Sequence, residues 1–143
     1  MKKLLFVVFI AIFLSCKKDP SKNITAYNWV LTSATISPTK MYKGKSETNY
    51  MLMDPSTCLS NNFTIAFAAE GTYGYASSGP LCDIIADNKS MKWTQNADEV
   101  SLLHAGETIT AKIVAKNTLT YSIRFIEDQI SYTVVYKYTA KLK

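Results

Sequence analysis

The chain has 143 residues, 48% hydrophobic and 19% charged, with five Gly, four Pro and three Cys. That length suits one domain with a real core, and the composition excludes a disordered tail, a collagen-like repeat and a low-complexity linker. The formal net charge is +5, but Lys2 and Lys3 precede an apolar leader, and without them fourteen basic residues face eleven acids, a balance too mild for nucleic-acid binding.

The first element in the chain is that leader. Lys2-Lys3 is followed by an unbroken apolar run, Leu4 to Leu14, and Ser15 stands directly before Cys16, the pattern of an export signal. Eleven residues span about 16 Å as a helix, short of the roughly 30 Å hydrocarbon layer, which disfavours a permanent transmembrane segment. Phe13-Leu14-Ser15-Cys16 resembles the lipobox of bacterial lipoproteins, with Phe13 where that family prefers an aliphatic residue. The resemblance implies removal of residues 1–15 and lipidation of Cys16; the alternative is an ordinary secretory signal that leaves Cys16 a spare thiol. Residues 16–23 then form the lipidated cysteine and a polar tether, Lys17-Lys18-Asp19-Pro20-Ser21, ahead of a domain over 24–143. A diacylglycerol thioether plus an N-acyl chain such as palmitate would give a stable membrane anchor, since each buried CH₂ contributes about 0.8 kcal/mol. Lys17 stands where an Asp resembles an inner-membrane retention signal, which favours the outer membrane and leaves periplasmic and surface exposure open.

From Trp29 onward the period is two almost everywhere, which predicts strands with one dry face. Eight are expected: Trp29–Ser33, Phe63–Ala68, Thr72–Ala76, Ser90–Thr94, Val100–Leu103, Thr108–Val114, Thr118–Arg124 and Ser131–Thr139. Ser37 to Asn62 reads as one long irregular connection, and all four Pro fall outside the expected strands. Glu70-Gly71 is the turn of the second hairpin, so facing partners across it have indices summing to about 141; Cys58 and Cys82 miss that by one. In an oxidising compartment they predict a disulfide, the alternative being two buried free thiols. Further turns are expected at Asn96 to Glu99, Ala105-Gly106, Lys116-Asn117 and Glu127-Asp128, spacings that suit an up-and-down meander. Eight such strands escape unpaired edges by closing into an all-β, eight-stranded up-and-down antiparallel barrel; a β-sandwich is the competing solution.

Three motifs add to this: Tyr27-Asn28-Trp29-Val30-Leu31, then Phe63-Thr64-Ile65-Ala66-Phe67 followed by Ala69-Glu70-Gly71-Thr72-Tyr73, then Met91-Lys92-Trp93. Together they are similar to the lipocalin-like lipoproteins of Bacteroidota, with Tyr27 in place of the family's glycine. The resemblance covers about residues 24 to 140. It implies a barrel that binds small apolar molecules, and it carries over no catalytic residue.

In lipocalin-like barrels the first connection tends to cross the open mouth. Here it holds Met41, Met51 and Met53 beside Lys40, Lys43 and Lys45, which reads either as a lid or as an extra edge strand at Asn49 to Met53 with solvated lysines. As a lid it would turn adaptable thioethers toward an apolar ligand and ammonium groups toward an anionic head group. Strand alternation sends Phe67, Trp93, Tyr121 and Tyr136 inward, and with Met51 and Met53 these are the expected ligand-binding residues. Buried tyrosines need partners for their hydroxyls, either one another, water or a ligand; the alternative is that these rings simply fill the barrel. Trp29 reads as a plug at the closed end.

His104, the one histidine, has no zinc-like partner set, Asp98-Glu99 and Glu127-Asp128 sit on turns, and no hydrolase, phosphate-loop or dinucleotide motif occurs. The expectation is therefore a non-enzymatic monomer without metal or cofactor, held to the outer membrane through Cys16 and binding a small hydrophobic or amphipathic molecule. The rival expectation is an envelope interaction or inhibitor module with a filled barrel that works through its loops.

Overall fold

The computed structural model describes residues 19–53, 58–78, 82 and 91–143. Among these residues nine strands form a single antiparallel sheet: β1 (Tyr27–Tyr42), β2 (Lys45–Asn49), β3 (Thr64–Phe67), β4 (Tyr73–Ala76), β5 (Lys92–Asn96), β6 (Glu99–His104), β7 (Glu107–Val114), β8 (Thr118–Glu127) and β9 (Ile130–Leu142). Leaving β2 aside, the order is β4-β3-β1-β9-β8-β7-β6-β5. The outer members β4 and β5 meet through the Thr72–Lys92 bridge, flanked by Tyr73 N–H to Met91 O at 3.2 Å and Trp93 N–H to Gly71 O at 2.9 Å. The first long strand pairs with the last from Tyr27–Leu142 to Ser37–Thr133. The result is a nearly closed eight-stranded up-and-down barrel, compatible with a lipocalin-like fold and not a sandwich.

Two-residue turns explain most of the hairpins. Lys43-Gly44, Ala105-Gly106 and Asp128-Gln129 all adopt positive φ, the geometry that matches the twist of adjoining strands. The last of these lies one residue beyond the expected Glu127-Asp128. Residues Phe67 and Tyr73 pair across the second hairpin, so facing indices sum to 140, and Cys58 and Cys82 extend the same register. They form a disulfide with Cα atoms 5.6 Å apart.

The largest departure from expectation concerns the first strand. β1 does not stop at Ser33; Ala34 and Ile36 continue the inward series, each 1% exposed, opposite Tyr136 and Val134. Pro38 therefore lies within a strand. It falls in the interval where the β1–β2 register shifts, between Thr35–Asn49 and Lys40–Glu47, and such an irregularity tolerates a residue with no N–H to donate. The extra edge strand exists, but over Lys45–Asn49 and not Asn49–Met53; Tyr50–Leu52 is a turn of 3-10 helix.

One end of the barrel is closed. Its seal is the 3-10 turn Ile24–Ala26, whose Ile24 carbonyl accepts the Trp29 indole N–H at 3.1 Å. Trp29 is fully buried, the plug its position suggested. The main core joins this end to mid-barrel through Ile65, Phe67, Met91, Val100, Leu102, Leu119 and Tyr138.

The barrel mouth as candidate functional site

Aromatic rings run through the barrel from the closed end to the mouth. Trp93 meets Phe67 edge-on at 5.2 Å, Phe67 meets Tyr73 at 6.1 Å, and Tyr73 meets Tyr75 at 5.6 Å. Across the interior, Tyr121 stacks between Tyr138 at 5.8 Å and Tyr136 at 5.0 Å. Tyr136 in turn takes the edge of Tyr50, which also tilts against Phe125. Such ring pairs contribute roughly 0.5–1.5 kcal/mol each beyond their buried area.

The six residues expected to bind ligand divide between the two ends of this column. Phe67 is 1% exposed and Trp93 donates its indole N–H to Ala68 O at 3.0 Å, so both pack at the closed end, where Lys143 and the Ile24–Ala26 turn also lie. Tyr121, Tyr136, Met51 and Met53 lie toward the mouth. All four rings nevertheless belong to one packed cluster, which Met51 also touches.

Tyr121 and Tyr138 share a hydroxyl–hydroxyl hydrogen bond of 3.0 Å, and Tyr75 lies within hydrogen-bonding reach of Tyr121 and Tyr73. Burial holds the phenols of Tyr75, Tyr121 and Tyr138 well above the usual value near 10, because an ionised phenolate would lose its hydration there. Of the alternatives open to buried tyrosines, this group bonds among itself. Neither Tyr75 nor Tyr138 stands out from composition, but the hairpin register places Tyr75 beside Ile65 on the inner face, and alternation from Tyr132 does the same for Tyr138.

The mouth is built by strands that stop pairing. β7 and β8 are joined only over Lys112–Val114 and Thr118–Thr120; beyond that β7 continues with β6 and β8 with β9. At this level the inward side chains Ile109, Phe125 and Tyr136 are only partly buried and Ile123 is 37% exposed. The segment after β2 packs over the second core cluster of Ala34, Ile36, Tyr132 and Val134, bringing Tyr50, Met51 and Met53 against it. Asn49 Oδ1 accepts the Met51 N–H at 3.1 Å and so starts the turn, while Met53 N–H closes it on Tyr50 O at 3.0 Å. Met51 touches both clusters; Met41 is 66% exposed and takes no part.

The rim lysines differ in their surroundings. Lys40 is paired with Glu127 at the tip of the β8–β9 hairpin, and the hydrogen bond to that carboxylate raises its pKa above the ordinary lysine value; its ammonium also sits 5.7 Å from the Tyr132 ring. It is thus engaged at the rim by a carboxylate of the same chain. Lys43 lies over the Tyr42 ring at 5.1 Å. His104 ends β6 opposite Glu107 and is exposed. Cys16 and the leader lie outside the described residues.

No family model, curated protein or solved structure matches this chain.

Proposed function

We propose that this protein is a lipid-anchored, lipocalin-like protein of a bacterial envelope, of the Bacteroidota type, that holds a small hydrophobic or amphipathic molecule in the mouth half of its barrel. The observation that carries this is the set of inward-facing apolar side chains left partly uncovered where β7 and β8 cease to pair, beneath the turn bearing Met51 and Met53. Sites for small apolar molecules are concave, mostly apolar and supplied with few polar groups, and thioethers adapt to varied shapes. The anchor reading rests on Phe13-Leu14-Ser15-Cys16 and the tether behind it.

Native mass spectrometry of residues 17–143 tests the binding. The expected result is a co-purified or added lipid-like adduct that Met51→Asp removes while the fold persists by circular dichroism. A second reading, an envelope interaction or inhibitor module acting through its loops, has an observation of its own: Trp29, Ile65, Phe67, Leu102, Leu119 and Tyr138 are all under 2% exposed, so the closed half is filled. Absence of any adduct across a panel of fatty acids, alcohols and phospholipids would overturn the first reading in favour of the second.

A further inference from the structure

We infer that the closed end of the barrel lies against the bilayer surface and that the mouth points away from it. This rests on the reading of Cys16 as the lipidated residue and adds to it which face meets the membrane.

The chain enters the fold at the closed end and is fastened there. Asp19 O accepts the N–H groups of Lys22 and Asn23 at 3.1 and 3.2 Å, and Ser21 O accepts Gln95 Nε2 at 2.6 Å near the end of β5. The Asp19 carboxylate lies 3.5 Å from Lys116 in the β7–β8 turn. Its pKa falls below the ordinary carboxylate range, first through the hydrogen bonds from Ser21. Three residue steps separate Cys16 from Asp19, a reach of at most about 11 Å. The far end is beyond that reach. From Leu142 to Ile130 the last strand climbs about 40 Å along its own direction, or roughly 30 Å along the axis of a barrel with ordinary strand tilt. A lipid on Cys16 thus brings the closed end to the surface and leaves the mouth remote.

The closed end also suits phosphate head groups. Lys22, Lys141 and Lys143 are exposed there, and Lys17 and Lys18 precede Asp19. Leu142 is 72% exposed and Val114 50%, two large apolar side chains on the rim that faces the anchor. Among the described residues four acids share this end. Asp19 and Glu99 are paired with Lys116 and Lys112, while Asp98 and Glu70 sit in turns. Basic side chains beside an acyl anchor are attracted by anionic lipid within a Debye length of the surface. The mouth, with Tyr50 and Met51, then exchanges its ligand with the aqueous compartment or with another protein and not sideways with the host leaflet.

The test uses the full-length lipidated protein reconstituted in vesicles of phosphatidylethanolamine and phosphatidylglycerol. A fluorophore is placed on Asn117→Cys in the β7–β8 turn or on Asp128→Cys in the β8–β9 turn, the Cys58–Cys82 bridge being kept oxidised. Nitroxide head-group lipids are expected to quench the Asn117→Cys label at least several-fold more than the Asp128→Cys label. Equal quenching, or stronger quenching of the Asp128→Cys label, in protein that floats with the vesicles overturns the orientation alone. Protein that fails to float and carries an unmodified Cys16 overturns the anchor reading, and the orientation with it.

Discussion

Opening the Cys58–Cys82 bridge tests how much of this barrel's stability comes from stapling the segment after β2 to the segment after β4. The two residues are 24 apart in sequence, and closing a loop of that size in the unfolded chain is worth about 3.4 kcal/mol at 25 °C in the chain-entropy account. Both cysteines are about 3% exposed and continue the β3–β4 register, so Cys58→Ala/Cys82→Ala removes little native packing beyond the two sulfur atoms. For a domain of roughly 125 residues the unfolding entropy is about 0.26 kcal/mol/K, which converts that loss to about 13 °C in Tm. Urea unfolding followed by the fluorescence of Trp29 and Trp93 reads the change at the opposite end of the barrel, which shows whether the loss is global. The double variant and the reduced wild-type protein should agree within 1 kcal/mol, both with a larger dependence on denaturant than the oxidised protein. A difference below 1 kcal/mol between oxidised and reduced protein would refute the reasoning, since the loop would then be closed by other contacts in the unfolded or the folded state.

Tyr121→Phe should cost about 1–3 kcal/mol by leaving the fully buried Tyr138 hydroxyl without its 3.0 Å partner, and Tyr121→Phe/Tyr138→Phe should cost less than the sum of the two single variants. Strict additivity in urea midpoints would count against a shared hydrogen bond. Because burial raises the folded-state pKa of Tyr75, Tyr121 and Tyr138, stability is present in full below about pH 10 and falls above it, by up to about 1.4 kcal/mol per pH unit for each tyrosine. Phenolate absorbance should therefore rise together with unfolding; a smooth titration of all tyrosines near pH 10 with the fold intact would contradict it. Ala105 sits at φ +50 in an exposed turn, so Ala105→Gly should stabilise by about 0.5–1 kcal/mol, and a lower Tm would be the contrary result.

Particular residues show why some of this was legible in the chain and some was not. The alternation of Leu119, Tyr121 and Ile123 with Thr118, Thr120 and Ser122 names β8 without any tertiary knowledge, because a half-buried strand needs one apolar and one polar face. The first strand is harder to read: a register shift between Leu31 and Ser33 moves the inward series from Trp29 and Leu31 to Ala34 and Ile36, and Pro38 reads as a stop until the shifted β1–β2 register is seen to accommodate it. The six candidate ligand residues illustrate the limit: alternation assigns Phe67, Trp93, Tyr121 and Tyr136 to the same inner face and says nothing of their height along the barrel. Height follows from strand stagger, a property of pairing between distant segments.

Local patterning thus determined the eight strands that make up the barrel wall, the cysteine pairing and, outside the first strand, which face is dry, since each depends on neighbours a few residues apart or on a single turn; it missed the edge strand Lys45–Asn49. Only the tertiary structure decided that the first strand pairs with the last, that β7 and β8 stop pairing beyond Lys112 and Thr120, that Lys40 is matched by Glu127, and that Phe67 and Trp93 close one end while Met51 lies over the other. Those features depend on long-range register and on shear around the barrel, which a period of two leaves undetermined.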